Sequence, residues 1–271
     1  MTDTGFLHPG AMGATVAAAC GGRARWVSAG RSPATRARAE EADLVDAGTI
    51  AELVGLVDVI VSVCPPGSAE AVATEVANTG FAGIYVDANA VSPTTVHRIA
   101  ARFDRFVDGG IIGPPAHTAG TTRLYLSGRE ADTVAERFAG SALDARVIDG
   151  GIGAASALKM TYAAWTKGSG ALLWAVRALA EAEQVTEPLL EEWDISQPGV
   201  AARSEASAAI AAPKAWRWVD EMREIASTFG AAGLPDGFHL AAADVFEAVA
   251  GFKDTGDVAM DQIVDRLLDQ S

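Results

Sequence analysis

The chain has 271 residues, of which 49% are hydrophobic and 21% are charged, as in a globular protein that buries a sizeable core. Its formal net charge of -14 argues against a nucleic-acid or anionic-membrane surface as a partner, because such surfaces select a basic face. No run of about 20 uncharged apolar residues predicts a transmembrane helix, and no basic and apolar leader predicts secretion. We therefore expect a cytoplasmic protein, with Cys20 and Cys64 as reduced thiols.

The first half alternates apolar β-type runs with helix-compatible runs, which predicts a parallel sheet wound on both sides. The first predicted strand ends at residues 6–7, and the others lie at residues 25–28, 44–45, 57–63, 83–87, 106–108, 122–126 and 145–148. The predicted helices between them lie at residues 14–20, 33–42, 49–56, 68–76, 94–102 and 131–138. Ligands of such sheets bind at the carboxyl ends of the strands. We expect one crevice, lined by the loops after Leu7, Ser28, Val63, Asp87 and Asp108.

The pattern changes after the glycine-rich segment 150–153. Residues 154–183 predict one long helix, and helix-like segments separated by proline and glycine continue to the end. The expected fold is an α/β Rossmann dinucleotide-binding domain at residues 1–151. An all-α C-terminal domain at residues 152–271 follows it on a long interdomain helix. A helical domain of this size lacks a generous core of its own, so we expect it to dimerise.

The turn after the first strand is the first candidate site. Gly10 and Gly13 have the spacing of the last two glycines of G-x-G-x-x-G, while His8 stands where the first would be. In a dinucleotide site these glycines allow a pyrophosphate to approach the backbone and the helix to approach the strand. Candidate cofactor residues are His8, Pro9, Gly10, Ala11 and Met12. The alternative is an ordinary strand-to-helix turn.

The loop after the second strand indicates which dinucleotide binds. NAD sites usually place an acid about 20 residues after the glycines, for the ribose 2′-hydroxyl, and residues 28–32 contain none. Arg31 offers a planar cation for a 2′-phosphate, Ser32 a hydroxyl and Gly30 a close backbone approach. The sequence therefore predicts NADPH rather than NADH, and it disfavours S-adenosylmethionine. The alternative for Arg31 is a solvated surface side chain.

The chain resembles a known family in four stretches that follow in the same order, at residues 5–13, 28–32, 87–93 and 151–159. That family is the β-hydroxyacid dehydrogenase and 6-phosphogluconate dehydrogenase superfamily, which includes the imine reductases. Residues 215–218 and 233–239 resemble a less characterised branch with a C-terminal domain of unknown function. His-Pro-Gly is common in the first turn of that branch. The resemblance implies a Rossmann domain, a helical domain and an interlocked homodimer whose active site lies between domains.

The resemblance also assigns a catalytic residue. Lys159 falls on the lysine that the family places opposite the nicotinamide, where an ammonium can protonate and stabilise a forming alkoxide. The alternative is a lysine on the helix surface, and Lys167 is a weaker candidate for the same face. The family often has Asn one turn later, where this chain has Ala163; Tyr162 or Thr166 could supply the missing donor.

Two further loops carry candidate residues. Asn89 and Ser92 are expected to donate to nicotinamide or substrate, with turn stabilisation and helix capping as the alternative. Cys64, Pro65 and Pro66 are expected to shape the loop against the nicotinamide ribose, with a rigid strand stop as the alternative.

Three functions remain open at this point. The first is an NADPH-dependent oxidoreductase of a small hydroxy or carbonyl compound, with Lys159 as acid and base. The second is an imine reductase, although that class usually has Asp or Tyr at the position of this lysine. The third is a non-catalytic NADP-binding protein. The segment 108–115 lacks the serine that the family uses for a substrate carboxylate, and His239 is a weak site candidate. We expect no metal site, because the histidines and cysteines lack ligand spacing.

Overall fold

The computed structural model describes residues 3–253 and 255–269. The chain forms two compact units, the first ending at Met160 and the second beginning at Thr161. The long helix begins at Ala154, ahead of this division, so its first turns belong to the first unit. The proposed domain boundary after residue 151 precedes that helix.

The first unit contains one eight-stranded sheet in the order β3-β2-β1-β4-β5-β6-β7-β8. The strands are β1 Thr4–Leu7, β2 Ala24–Trp26, β3 Val45–Asp46, β4 Val59–Ser62, β5 Ile84–Asp87, β6 Phe106–Ile112, β7 Thr122–Ser127 and β8 Leu143–Val147. The helices between them are α1 Ala11–Ala18, α2 Pro33–Glu41, α3 Ile50–Leu53, α4 Ala69–Ala77, α5 Pro93–Ala100 and α6 Ala131–Ala135. This mostly parallel sheet with intervening helices confirms the Rossmann-type fold.

The predicted parallel sheet differs from the structure at one strand pair. β7 runs antiparallel to β6, with Gly110 paired to Tyr125, whereas the other neighbouring strands are parallel. The physical reason lies in the connection, since residues 113–121 are too few for a crossover helix of a dozen or more residues. A short connection of this kind returns the chain beside the strand that it left.

The predicted end of β6 was also wrong. Gly109 and Gly110 look like turn residues in the sequence, but the strand continues through them to Ile112. They are needed for close approach: a Cβ on Gly109 would lie 3.1 Å from the Asp87 carbonyl oxygen. A Cβ on Gly110 would lie 2.7 Å from the Ala155 carbonyl oxygen. The expected crevice loop directly after Asp108 is therefore a buried strand.

The core of the first unit lies on both faces of the sheet. Ile60 and Val61, adjacent in β4, belong to different apolar clusters, because successive side chains of a strand point to opposite faces. The whole of β4 is buried, as its nearly continuous apolar sequence predicts. Cys20 is buried and Cys64 half-buried, and neither forms a disulfide in the structure.

The second unit is helical. The helices are α7 Ala154–Ala182, α8 Thr186–Ser196, α9 Val200–Ala211, α10 Trp218–Ala231, α11 Gly237–Ala248 and α12 Met260–Leu268. Trp174 is fully buried and meets Phe246 edge to face, with ring centroids 5.6 Å apart. Across residues 3–253 and 255–269, no helix combines the length and hydropathy needed to cross a bilayer.

Candidate functional site

The turn between β1 and α1 is held by backbone contacts that require glycine at one position. His8 has a φ of 64°, and its carbonyl oxygen accepts a hydrogen bond from Gly10 N at 2.7 Å. A Cβ on Gly13 would lie 2.6 Å from the same oxygen, a distance that real Cβ atoms essentially never show. Gly13 therefore allows α1 to lie directly on the turn.

Gly10 has a different role, because the protein leaves room for a side chain there. A Cβ at Gly10 would meet no atom closer than the His8 carbonyl oxygen at 4.0 Å. Gly10 is the N-terminal cap residue of α1, and no side chain caps this helix. Ala11 is exposed and Met12 half-buried at the same helix start, whereas Pro9 is buried. The open space and the uncapped N–H groups suit an anionic ligand such as a pyrophosphate.

The loop after β2 brings a cation to the neighbouring strand end. Gly30 has a φ of 69° and open space around it, and Arg31 follows it, half-buried. Burial lowers the pKa of Arg31, while the negative charge of Glu75 opposes that shift. The Arg31 Nε atom is buried and has no hydrogen-bond partner. Ser32 caps α2, since its Oγ accepts from Thr35 N at 3.3 Å, and its predicted cofactor contact stays a prediction.

His8 lies near this arginine. β1 and β2 are paired neighbours, with Phe6 opposite Trp26, so the segments that follow them start side by side. Burial and the nearby Arg31 charge lower the pKa of His8 to about 4, which keeps the imidazole neutral at pH 7. His8 Nδ1 is buried without a hydrogen-bond partner, like Arg31 Nε. The two side chains form one polar region at the ends of β1 and β2.

Asn89 connects the ends of β4 and β5. Its Oδ1 accepts from Cys64 N at 2.6 Å, and its Nδ2 donates to Ser62 Oγ at 3.2 Å and Asp87 Oδ2 at 2.9 Å. The side chain is 2% exposed, so the amide stabilises the two loops from inside. Burial raises the pKa of Cys64 to about 12, which leaves a protonated thiol. A direct contact of Asn89 with cofactor or substrate stays a prediction.

Two neighbouring predictions concern loop shape. Ser92 Oγ accepts from Thr95 N at 3.2 Å and caps α5, which is the capping alternative of the sequence analysis. Pro65 is exposed and Pro66 begins a short 3-10 turn, Pro66–Ser68, directly after Cys64. Both prolines therefore lie in the segment that follows β4.

Asp108 fixes the start of α7. This fully buried carboxylate accepts from Gly153 N at 2.9 Å, Ser156 N at 3.0 Å, Ser156 Oγ at 2.6 Å and Ser127 Oγ at 3.1 Å. An anion at a helix N-terminus satisfies free N–H groups and complements the helix dipole. The sequence analysis missed this role, since the partners lie 19 to 48 residues away along the chain and leave no local pattern.

Lys159 lies in the second turn of α7, the helix whose start Asp108 anchors. A Cβ on Gly110 would lie 3.0 Å from Lys159 Cβ, so the lysine stem begins directly over β6. Asp108 is paired with Asp87, the last residue of β5, and Gly110 comes two residues later. The Cβ of Lys159 therefore lies past the carboxyl end of β5, level with the start of the Asn89 loop. The lysine is half-buried.

Other candidates lie in the second unit. Tyr162 is 46% exposed, and nothing in the structure tests its role. Lys167 forms an ion pair with Glu221 and lies 5.3 Å from the Trp218 ring centroid. His239 is buried against the rings of Phe229 and Phe238, an environment that favours a core histidine. In the described residues, no group of His, Cys, Asp and Glu side chains could hold a metal ion.

Comparison with known proteins finds one domain model and one relative that match part of the chain. Residues 180–249 match the model of a domain of unknown function, DUF1932. An uncharacterised 28.5 kDa protein of Methanothermus fervidus is 33% identical over 166 residues, which is 60% of this chain and 63% of that relative. The match thus spans under two thirds of the relative's length.

Solved structures cover more of the chain. A conserved protein of unknown function, described as structurally similar to 3-hydroxyacid dehydrogenases, is 25% identical, with a TM-score of 0.65 over 92% of this chain and 98% of its own. The 3-hydroxyisobutyrate dehydrogenase of Mycobacterium tuberculosis, solved with L-serine, is 18% identical, with a TM-score of 0.70 over 98% and 99%. The chain therefore shares its fold with these 3-hydroxyacid dehydrogenase-like structures.

A further structure shares this β-hydroxyacid dehydrogenase-like fold with a different named activity. A reductive aminase from Aspergillus terreus, solved with NADPH and ethyl levulinate, is 18% identical, with a TM-score of 0.54 over 98% of this chain and 99% of its own. The fold of the present chain therefore accompanies both dehydrogenase and reductive aminase activities in other proteins.

Proposed function

We propose that the chain is an NADPH-dependent oxidoreductase that transfers hydride between the nicotinamide and a small hydroxy or carbonyl compound. The observation that carries the proposal is the polar region of the first turn, where His8 Nδ1 and Arg31 Nε are buried without protein partners beside an uncapped helix. NADPH in a structure of the same fold and the dehydrogenase names of others support it.

The residues at the ends of β1 and β2 would hold the adenine half of the cofactor. Backbone N–H groups at Ala11 and Met12 would bind the pyrophosphate, with Gly10 leaving space for it and Pro9 fixing the turn beneath them. Arg31 would pair with the 2′-phosphate, with Gly30 and Ser32 flanking it. Bound there, the cofactor supplies the hydride of the reaction.

The end of β4 would hold the other half. Cys64, Pro65 and Pro66 would border the nicotinamide ribose, because they directly follow the strand next to β1. Asn89 would keep this border in shape through its three hydrogen bonds to Cys64, Ser62 and Asp87. A neutral Cys64 thiol adds no negative charge to the region.

Lys159 would be the acid and base of the reaction. Its ammonium would donate a proton to the substrate oxygen during reduction, and the neutral amine would accept it in the reverse direction. In both directions the cation would stabilise the oxyanion. Asp108 and Gly110 support this role, since they fix the first turn of α7 and the stem of the lysine. Tyr162, one helical turn further, would provide a second donor.

A second candidate, an imine reductase, is favoured by the reductive aminase of the same fold. Lys159 weighs against it, because an imine nitrogen does not need an ammonium that stabilises an oxyanion. The third alternative, a non-catalytic NADP-binding protein, would bind the cofactor without turnover.

We further propose a cytoplasmic homodimer. The two free cysteines are typical of a reducing compartment.

The dimer is supported by an apolar face of α7. Trp165, Leu172 and Leu179 are 72%, 49% and 62% exposed and recur every seven residues along this helix, as on the contact face of paired helices.

The test is NADPH oxidation, measured with the purified chain over a panel of small aldehydes, ketones, 3-oxo acids and cyclic imines. Turnover of carbonyl compounds is expected for the wild type, with a loss of at least a hundredfold in kcat for Lys159→Met. Lys214→Met changes an exposed lysine and serves as the control. Turnover of imines alone would favour the second candidate, and tight NADPH binding without turnover of any compound would favour the third.

A further inference from the structure

The backbone of His8 is held in a conformation that histidine rarely adopts. Its φ of 64° lies in the left-handed region, where glycine is favoured, and the next residue is Pro9. A proline also restricts the residue before it to extended conformations. A glycine would fit this position with less strain. The imidazole must therefore contribute something that a glycine could not.

The surroundings of the imidazole indicate what it contributes. His8 Nδ1 and Arg31 Nε are both buried, and neither has a hydrogen-bond partner in the protein. Buried polar atoms are normally hydrogen-bonded, because an unpaired one loses the hydrogen bonds that water gave it and gains none in the protein. The segments that carry His8 and Arg31 start at the adjacent carboxyl ends of the paired strands β1 and β2, and the charge of Arg31 lowers the pKa of His8. Two unpaired polar atoms in one place indicate a ligand that carries hydrogen-bond acceptors.

A second cationic side chain lies near the turn. Arg38 Nε donates to the Pro9 carbonyl oxygen at 3.4 Å, which brings a second guanidinium to the turn. The acidic group that acts on Arg31 is Glu75, and Cys64 stays a protonated thiol. The neutral imidazole carries one N–H donor, and Arg31 carries a charged one. A phosphate monoester, with three terminal oxygens, accepts from both at once.

We propose that His8 and Arg31 together bind one phosphate monoester group, and that this group is the 2′-phosphate of the cofactor. The proposal rests on the proposed function and deepens it, because it makes His8 a determinant of the choice between NADPH and NADH. The left-handed backbone of His8 then serves to place a second hydrogen-bond donor beside that phosphate. The pyrophosphate has the same chemistry, and the experiment separates the two.

The experiment is calorimetric titration of the full chain with adenosine 2′,5′-bisphosphate and with ADP. The first ligand carries the 2′-phosphate without a pyrophosphate, and the second carries the pyrophosphate without a 2′-phosphate. The variants are His8→Gly, which relieves the backbone strain and should fold at least as well, and His8→Asn, which keeps a donor and tolerates the left-handed region. His117→Asn changes an exposed histidine and is the matched control.

For the wild type and His117→Asn we expect tighter binding of the 2′,5′-bisphosphate than of ADP. His8→Gly should weaken the binding of the bisphosphate at least tenfold and the binding of ADP less than threefold. His8→Asn should recover part of the lost bisphosphate affinity. Unchanged bisphosphate binding by His8→Gly would overturn the proposal while leaving the proposed cofactor intact. Equal losses for both ligands would overturn it in favour of the pyrophosphate. A wild type that binds neither nucleotide would overturn the proposed function as well.

Discussion

Lys159 packs directly against Gly110. A methyl group on that glycine would lie 3.0 Å from Lys159 Cβ and 2.7 Å from the Ala155 carbonyl oxygen. The absence of a side chain at Gly110 allows the first turns of α7 to pack closely on β6. The position of the proposed acid and base is thus set by a residue without a side chain on the neighbouring strand.

The first prediction follows from that contact. Gly110→Ala should push α7 away from β6 and lower the free energy of unfolding by about 1 to 3 kcal/mol, the usual cost of overpacking. Turnover should fall more than NADPH binding, since the displaced element carries Lys159. Urea unfolding and steady-state kinetics measure the two effects. Gly151→Ala is the control, because a Cβ there would meet no atom within 4 Å. Identical behaviour of the two variants would refute the contact.

The second prediction separates the two glycines of the first turn. Gly13→Ala should destabilise the fold by about 1 to 3 kcal/mol, because its methyl group would meet the His8 carbonyl oxygen at 2.6 Å. Gly10→Ala should keep the free energy of unfolding within about 1 kcal/mol, since the nearest atom is 4.0 Å away. The same Gly10 variant should lose most of its affinity for NADPH, measured by titration. Full affinity in Gly10→Ala would mean that the pyrophosphate binds elsewhere.

The third prediction concerns the anchor of α7. Asp108→Asn replaces an acceptor of four hydrogen bonds by a side chain with one acceptor oxygen, beside N–H groups that need acceptors. We expect a loss of about 2 to 4 kcal/mol in the free energy of unfolding. Asp104→Asn, at an exposed position, should stay within about 0.5 kcal/mol of wild type. Equal stability of both variants would show that the carboxylate charge contributes nothing at the helix start.

The fourth prediction is a pH dependence of stability that comes from His8. The pKa of His8 is about 4 in the folded chain and about 6.5 in the unfolded chain, so the unfolded state takes up the proton first as pH falls. The stabilising contribution is complete above pH 6.5 and is lost as pH falls toward 4. Between pH 7.5 and 5.5 the wild type should lose about 1 kcal/mol more stability than His8→Asn.

Urea unfolding of both proteins at the two pH values measures this difference, and both values lie above the sequence pI of about 4.6. The comparison cancels the titration of carboxylates and of His239, which are common to both proteins. Parallel losses in the two proteins would show that His8 titrates with its ordinary pKa.

The sequence predicts the Rossmann-type fold well because its signals are local. The apolar run of β4 and the change to helical periodicity near residue 154 each lie within one element. The antiparallel β7 and the extension of β6 were missed, because Gly109 and Gly110 are read locally as turn residues. Their true reason is the approach of Asp87 and Ala155, which are distant in sequence.

The candidate site divides in the same way. The turn at His8 and the loop at Arg31 could be found from glycine spacing and from a missing acid, both local features. The capping role of Asp108 could not, since Ser127 and Ser156 reach it only through the fold. Asn89 was predicted to donate to nicotinamide or substrate, with turn stabilisation as the alternative, and the ligand contact stays a prediction. Its hydrogen bonds to Ser62 and Asp87 depend on the β4–β5 register, which the local sequence does not reveal.

The central claim is that NADPH binds across the first turn and is selected by its 2′-phosphate. Calorimetric titration of the wild-type chain with NADPH and with NADH tests it most directly. We expect one NADPH bound per chain, at least tenfold tighter than NADH, with most of that preference lost in Arg31→Ala. Absence of NADPH binding, or equal affinity for the two nucleotides, would contradict the account.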